Sequence, residues 1–241
     1  MTEWSLPVKG LENPIYFAHL PDLHLGPARG EGYLKRVLDT VVELKPDFIL
    51  YNGDLVDGNS ALTTKIFDNF KDLTIPQYFT TGNHEFYVNT SEEINLLNYA
   101  GIRVLRSQSI EVNGINLIGL EYMNADKESS DAHQVNNLMM DEELPKIPTN
   151  PNYPTLLAHH SPVGIKYAVR EKIDVYVSGH THGGQVFPGT LLASLRYPYL
   201  KGYFQIDGLQ LLVSQGVGTF GPVMRLGTFN EIQMIKLVPS Q

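Results

Sequence analysis

Side chains that can bind metal ions recur in this chain as short groups, and each group follows a segment with the pattern of a β-strand. The groups are DLH at 22–24, GD at 53–54, GNHE at 82–85, HHSP at 159–162 and GHTH at 179–182. Loops held by a rigid sheet are common positions for binding and catalytic residues. Each group taken alone also has an ordinary explanation as turn or surface residues.

Taken together, the groups favour a bound cation. Two aspartates, an asparagine and at least four histidines at successive strand ends would otherwise repel one another or need partners for buried polar atoms. Mixed oxygen and nitrogen ligands suit manganese, iron or zinc better than calcium, and magnesium is also possible. One aspartate can bridge two ions, and the set is large enough for a two-metal centre.

The spacing within two of the groups predicts which side chains lie together. Asp22 and His24 alternate in a segment that we expect to be extended, which places both side chains on one side. His180 and His182 have the same spacing. Asn83 is explained equally well as a left-handed turn residue. Asp57, at the end of GDLVDG, is interpreted as a plain turn residue.

The elements that must position these groups alternate between strands and helices in the first half of the chain. TIPQYF precedes GNHE as a strand, and a helix over 31–46 places Leu34, Val37, Leu38, Val41 and Val42 on one face. We expect further helices near 61–73 and 89–101, the second with a capping box at Thr90 and Glu93. Asn113-Gly114 and Asp207-Gly208 predict hairpin turns, and the segment at 230–238 is expected to be antiparallel hairpin material.

This order predicts an α/β fold in which two packed sheets are flanked by helices. We expect one domain over 1–241, because no linker composition divides the chain, and a polar insertion or lid at about 123–154. The formal net charge is −8, which argues against a nucleic-acid-binding face. The absence of cysteine excludes thiolate nucleophiles and cysteine–zinc sites. We find neither a signal peptide nor an apolar run long enough to span a membrane.

The ordered set D-x-H, GD, GNHE, H-x-P and GHTH resembles the calcineurin-like metallophosphoesterase superfamily over about residues 16–184. The later stretches GHTHGGQVFPG and SQGVGTFGPVMRLGTFNEI are similar to one bacterial branch, the YkuE-type phosphohydrolases. The resemblance implies a four-layer αββα sandwich of two mixed sheets. Its dimetal site would lie at the carboxyl ends of the strands.

The resemblance also implies a role for each matching residue. The ligands of the first metal ion would be Asp22, His24 and His182. The ligands of the second would be Asn83, His160 and His180, where His160 is preferred to its neighbour His159 because HSP fits the H-x-P motif. Asp54 would bridge the two ions, and His84 would act on the leaving oxygen or the transition state. Manganese is the expected metal, with iron, zinc or magnesium as alternatives.

The implied reaction is phosphoester hydrolysis, by direct attack on phosphorus of a hydroxide held between the two metal ions. The expected substrate is a phosphomonoester, a phosphodiester, or a nucleotide-sugar or lipid-linked pyrophosphate, with Arg225 as a candidate contact for its phosphate. Several aromatic residues could line the pocket: Phe86, Tyr87, Tyr197, Tyr199 and Phe220. A nuclease with the same centre and a non-catalytic metal-binding scaffold remain as alternatives. We expect a cytoplasmic or membrane-peripheral location and no nucleic-acid partner.

Overall fold

Two six-stranded β-sheets form the centre of the molecule in a computed structural model that describes residues 1–57, 64–87, 90–128 and 136–240. In spatial order, the first sheet contains β1 (Thr2–Lys9), β12 (Gln233–Ser240), β2 (Ile15–His19), β3 (Phe48–Asn52), β4 (Gln77–Thr80) and β5 (Arg103–Val104). Strands β2 to β5 are parallel, whereas β12 is antiparallel to β2 and parallel to β1.

The second sheet has a parallel centre and an antiparallel strand at each edge. In spatial order it contains β10 (Gly202–Ile206), β11 (Leu209–Val213), β9 (Val175–Ser178), β8 (Thr155–Ala158), β7 (Ile115–Gly119) and β6 (Gln108–Val112). Both predicted hairpin turns are confirmed, since Val112 pairs with Ile115 and Ile206 with Leu209. The two central residues of each turn have positive φ, as a type I′ turn requires.

Helices cover the outer face of each sheet. The first sheet is covered by α1 (Glu31–Glu43), α2 (Thr64–Lys71) and α3 (Thr90–Tyr99), and the second by α4 (Met140–Glu143) and α5 (Ile165–Arg170). Along β3, Phe48 and Leu50 pack between the sheets while Ile49 and Tyr51 pack under the helices, as the alternation of a strand buried on both faces requires. The predicted four-layer sandwich is confirmed.

Several predicted details are different in the structure. Strand β1 was not predicted, and β12 joins the first sheet instead of forming a hairpin with β11. Val42 is exposed rather than buried, because one residue beyond Val41 the helix has turned about 100° from the sheet. Residues 61–63 and the side chain of Thr90, where we predicted a helix start and a capping box, lie outside the described residues.

The described part of 123–154 packs on the outer face of the second sheet, where Met123, Met140 and Leu144 join the cluster under α5. Its role as a lid stays a prediction, as does the single domain. None of the helices in the described ranges is both long and apolar enough to cross a membrane. A sixth helix, α6 (Gly189–Arg196), follows β9 and lies against the short turn at 182–184.

Candidate metal centre

The loops after β2, β3, β4, β8 and β9 bring the metal-ligand candidates of both sheets to one place. Five of these residues adopt left-handed backbone conformations with φ between 46° and 69°: Asp22, His24, Asp54, His180 and His182. Our expectation that 22–24 is extended is therefore wrong. Non-glycine residues in this region cost roughly 1–3 kcal/mol each and gather at functional sites. Here the backbone is held by bonds from Asp22 N to Gly53 O and from His24 N to Asp54 O, both 3.0 Å.

A first group of possible ligands consists of Asp22, His24 and His182. The Nε2 atoms of His24 and His182 are 3.1 Å apart, and His182 Nε2 lies 3.4 Å from Asp22 Oδ1. Asp22 is fully buried, and its carboxylate accepts a hydrogen bond from the His180 backbone N–H at 3.0 Å. These are the three residues that the family resemblance assigns to the first ion.

A second group consists of Asp54, His160 and His180. His160 donates from Nδ1 to the Asn52 carbonyl oxygen at 2.7 Å, which turns Nε2 towards Asp54 Oδ2 at 3.2 Å. Asn83 lines a cavity together with Asp54 and His180 of this group. It has right-handed backbone angles (φ −74°), so the alternative of a left-handed turn residue is wrong.

The Asp54 carboxylate lies between the two groups. Its Oδ2 is 3.2 Å from His160 Nε2 in the second group and 3.8 Å from His24 Nε2 in the first. Its Oδ1 accepts a hydrogen bond from the backbone N–H of His84 at 2.9 Å, which fixes the carboxylate in this orientation. This is the position that a bridging ligand would occupy.

His84 stands beside Asp54 and faces a second carboxylate that sequence reasoning dismissed. Asp57 Oδ1 is 3.6 Å from His84 Nδ1, while His84 Nε2 is 4.0 Å from Asp54 Oδ2. His24, Asp57 and His84 together form a third group with metal-binding geometry. The sequence did contain a signal for a functional residue here, a second aspartate three residues after Asp54, but we interpreted it as a turn residue.

Glu85 is a further residue to which we had assigned no role. Its buried carboxylate accepts hydrogen bonds from the backbone N–H groups of Asp54 and Leu55, both at 2.9 Å, and of Gly82 at 2.5 Å. It thereby ties the GD loop to the GNHE loop. Burial and the charge of Asp54 raise the pKa of Glu85 to about 7. The sequence signal for this role was the position of Glu85 as the fourth residue of the GNHE motif.

His159 and His160 have different surroundings. His159 Nδ1 lies 2.9 Å from both the Ser161 carbonyl oxygen and the Tyr176 hydroxyl, and its Nε2 accepts from the Met123 N–H at 3.4 Å. These partners belong to the packing around the second sheet. Of these two histidines, His160 is the one whose imidazole faces the carboxylates of Asp22 and Asp54.

Arg225 contacts the protein's own backbone and does not line the cavity. Its guanidinium donates to the carbonyl oxygens of His182 at 3.0 Å, Gln215 at 2.5 Å and Gly218 at 2.6 Å. This placement ties the loop after β11 to the back of His182. It does not support the predicted contact with a substrate phosphate.

The electrostatics of the centre are dominated by buried carboxylates. Burial raises the pKa of Asp22 to about 7 and lowers that of His24 to about 3. For His160, burial acts to lower the pKa, but the charges of Asp54 and Asp22 outweigh it and raise the pKa to about 10. Burial would raise the pKa of Asp54, yet the His160 charge holds it well below its ordinary value. Buried carboxylates thus require adjacent positive charge, which a bound cation supplies.

The donor atoms present fit divalent cations. Asn83 Oδ1 and His160 Nε2 are buried and make no hydrogen bond, and orphaned buried polar atoms of this kind need an explanation such as an ion. Carboxylate, imidazole and amide ligands together suit manganese, iron, zinc or magnesium. The first ion would have Asp22, His24 and His182 available, and the second Asn83, His160 and His180, with Asp54 between them.

A cavity of about 590 Å³ opens over the centre. Its wall contains members of all three groups, and aromatic residues stand at its sides: Tyr87, Tyr197 and Phe220. These three were among the predicted pocket residues. By contrast, Tyr199 packs against the outer core of the second sheet, and Phe86 does not line the cavity. Among the described residues that line it, none is a lysine or an arginine.

Comparison with known proteins identifies the class. The family model described as calcineurin-like phosphoesterase matches residues 15–184. The chain belongs to the calcineurin-like phosphoesterase family. This metallophosphoesterase domain is 30% identical over 234 residues to an uncharacterized metallophosphoesterase of Helicobacter pylori, covering 95% of this chain and 61% of that protein. It therefore spans less than two thirds of that relative's length.

A second relative of the metallophosphoesterase domain is the zebrafish "Transmembrane protein with metallophosphoesterase domain". It is 31% identical over 249 residues, covering 97% of this chain and 56% of that protein. Among solved structures, a dimetal phosphatase from zebrafish has the same fold with a TM-score of 0.52 and 12% sequence identity, covering 84% of this chain and 87% of that one. The YkuE-type branch stays a prediction.

Proposed function

We propose that the metallophosphoesterase domain hydrolyses a phosphate ester or pyrophosphate with two divalent cations, manganese being the preferred metal. The position of Asp54 carries the proposal, because one carboxylate oxygen lies 3.2 Å from His160 in one ligand group and 3.8 Å from His24 in the other. A carboxylate between two ligand groups is what a two-metal site requires.

The charge of the cavity supports the need for cations. Asp54 and Asp57 line it, and the described lining residues include no lysine or arginine that would attract a phosphate. Bound divalent ions would neutralise the phosphate oxygens and lower the pKa of the attacking water.

The surroundings of His84 support a role at the leaving group. Asp57 Oδ1 lies 3.6 Å from Nδ1 of its ring and Asp54 Oδ2 lies 4.0 Å from Nε2, and the residue lines the cavity. A protonated His84 would donate the Nε2 proton to the oxygen that leaves phosphorus, and Asp57 would stabilise the imidazolium and hold the ring. General acid catalysis of this kind contributes roughly 10²–10⁴ in rate.

The cavity wall favours an apolar or aromatic substituent on the phosphate. The rings of Tyr87 and Phe220 each lie 5.4 Å from the His84 ring, and both side chains are about half exposed. Phosphomonoesters, phosphodiesters and lipid-linked pyrophosphates all fit this description. The zebrafish relative's name, a transmembrane protein with this domain, supports a membrane-peripheral location.

The test is hydrolysis by chelator-stripped protein of an aryl phosphomonoester, an aryl phosphodiester and a lipid-linked pyrophosphate, with and without added manganese. We expect turnover only after metal is restored. His84→Ala should lose about 10²–10⁴ in kcat while its metal content, measured by elemental analysis, stays that of the wild type. A fully active His84→Ala protein would refute the role of His84, and metal binding without turnover of any substrate would favour a scaffold.

The nuclease alternative is tested in the same assay with single-stranded and duplex DNA and RNA. The formal charge of −8 and the lack of lysine and arginine among the described lining residues argue against it, because nucleic-acid binding depends on contacts between cationic side chains and the phosphate backbone. Cleavage of these polymers at rates above those for the aryl phosphodiester would reverse our preference.

A further inference from the structure

A band of exposed apolar side chains borders the mouth of the cavity. It comes from two segments, 186–196 with helix α6 and the loop 220–229. Its members, which we call the apolar rim, are each more than half exposed: Phe187, Leu191, Leu192, Leu195, Phe220, Val223, Met224, Leu226 and Phe229. Exposed apolar patches of this extent mark interaction sites.

Helix α6 faces the protein with its small residues. At Gly184, a side chain would collide with Thr190 Cα at 2.5 Å and approach Ala193 Cβ to 3.1 Å, so the helix rests directly on this glycine. No residue of α6 is buried, and Leu192 and Leu195 are 70% and 84% exposed. A helix that directs its leucines away from the protein is typical of an element that lies in a membrane interface.

The two segments of the rim form one connected surface. The backbone of Phe187 donates to Leu226 O at 2.8 Å, and Leu226 N donates to Gln185 O at 3.1 Å. The Gln185 side chain donates to Phe220 O and accepts from Phe220 N, both at 2.8 Å. Gln185 therefore holds helix and loop together.

The rim is continuous with the metal centre. The Phe220 ring lies 5.4 Å from the ring of His84 and 6.1 Å from that of His24. At the end of α6, the Tyr197 hydroxyl is 3.0 Å from His180 Nε2. A lipid membrane that contacts the rim would therefore have its polar head groups next to the cavity.

The charges of the rim differ from those of the whole chain. Segments 186–197 and 220–229 contain no aspartate or glutamate, although the chain has a formal charge of −8. Arg196 is exposed at the end of α6, and exposed Lys201 follows. The second arginine, Arg225, is directed to backbone carbonyl groups of the protein. The exposed ionisable side chains next to the rim are thus basic, which complements anionic phospholipid head groups.

We propose that the apolar rim docks on a membrane surface that contains anionic phospholipid. The leucines of α6 and the loop side chains enter the boundary between head groups and acyl chains, and Arg196 lies at head-group level. A second copy of the chain is a poorer occupant, because it would present the same basic rim and not a complementary anionic one. The inference deepens the proposed function, but the docking itself does not require turnover.

The test is flotation of the full chain with vesicles of phosphatidylcholine alone and of phosphatidylcholine with phosphatidylglycerol in equal parts. We expect the wild type to float with the anionic vesicles. In the double variant Leu192→Glu, Leu195→Glu, the fraction of protein bound to these vesicles should fall about tenfold or more. Val42→Glu, an exposed apolar residue of α1, is the matched control and should float as wild type does. All three proteins should hydrolyse a soluble aryl phosphate at the same rate.

Three results would overturn the inference. They are flotation of the double variant equal to that of wild type, absence of wild-type flotation, and a dimer by light scattering that the double variant lacks. Equal binding to both vesicle types, or no effect of Arg196→Gln, would overturn the part assigned to charge. Flotation without turnover would support membrane docking and refute the proposed function. Turnover without flotation would support the proposed function and refute membrane docking.

Discussion

At the scale of single residues, the chemistry of the centre depends on which ring nitrogen of each histidine faces the cavity. His160 donates from Nδ1 to Asn52 O and so presents Nε2 to the carboxylates. His84 has Asp57 on its Nδ1 side and Asp54 on its Nε2 side. In both rings, the group next to Nδ1 determines whether Nε2 carries a proton, and so whether Nε2 can donate a proton or bind a metal ion.

Asp57→Asn tests the orientation of His84. Loss of the carboxylate removes the charge that stabilises a protonated His84, and we expect kcat to fall about 10- to 100-fold with unchanged metal content. Asp39→Asn, in the exposed Lys35 pair on α1, is the matched control and should be neutral. A fall in metal content would show that Asp57 is a ligand, as its place beside His24 and His84 also permits.

Gly82→Ala tests how closely the GNHE loop approaches Asp54. A Cβ atom at Gly82 would overlap Asp54 Oδ1 and the Asp54 backbone nitrogen, so the Asp54 carboxylate must move. We expect a loss of about 1–3 kcal/mol in the free energy of unfolding and weaker manganese binding by calorimetry. Gly30→Ala, where an added Cβ contacts nothing within 4 Å, is the control. Wild-type metal affinity in Gly82→Ala would contradict this assignment of Asp54.

At the scale of elements, a buried polar chain connects three strands beneath the metal centre. His19 of β2 donates from Nδ1 to Gln233 of β12 at 2.8 Å, and its Nε2 accepts from Asn52 of β3 at 3.0 Å. Asn52 also donates to Val177 O of the second sheet at 2.9 Å. These bonds fix the strand ends from which the ligand loops begin.

This polar chain makes stability depend on pH. Burial lowers the pKa of His19 to about 4, against a weaker opposing effect of Gln233. Because the folded state holds the ring neutral, its contribution is present above pH 6.5 and is lost as pH falls towards 4. Between pH 7 and 5 we expect this group to remove about 2 kcal/mol of stability.

Urea unfolding of metal-free wild type and His19→Gln at the two pH values measures this contribution. The variant should lose less stability than wild type over the same interval, whatever its absolute stability, since the remaining titrating groups are shared. An equal pH dependence in the two proteins would mean that His19 does not titrate in this range.

At the scale of the whole molecule, the metal centre joins the two sheets. The first group combines Asp22 and His24 from the first sheet with His182 from the second, and the second group combines Asp54 with His160 and His180. A cation that binds these loops binds only the folded arrangement, so it stabilises the whole sandwich.

Metal removal should therefore lower the melting temperature. With manganese at about 100 times its Kd, the added stability is about 2.7 kcal/mol, which corresponds to a shift of roughly 5–10 °C for a chain of this size. Scanning calorimetry of stripped and reloaded protein measures it. Asp54→Asn should lose most of the shift and His84→Ala should keep it. An unchanged melting temperature on reloading would argue against a centre that links the sheets.

Local sequence patterns were sufficient for much of the fold and for naming the candidate ligands. Alternation along strands, helical periodicity and the Asn-Gly and Asp-Gly turns each report on residues close in the chain, where sterics and burial act directly. The order of the polar groups then identified the family and the residues now found together at the strand ends. Asp22, His24, Asp54, Asn83, His160, His180 and His182 are adjacent because their strands are.

Only the tertiary structure decided the features that depend on distant partners. The pairing of β12 with β1 and β2, the contact of Asp57 with His84 and the inward direction of Arg225 all involve chain segments whose positions are set by packing. The apolar rim is the clearest case, since LLASL has the composition of a core helix. Its leucines are exposed because Gly184 lets the opposite, small face of α6 rest on the protein, and burial is a property of the whole assembly of elements.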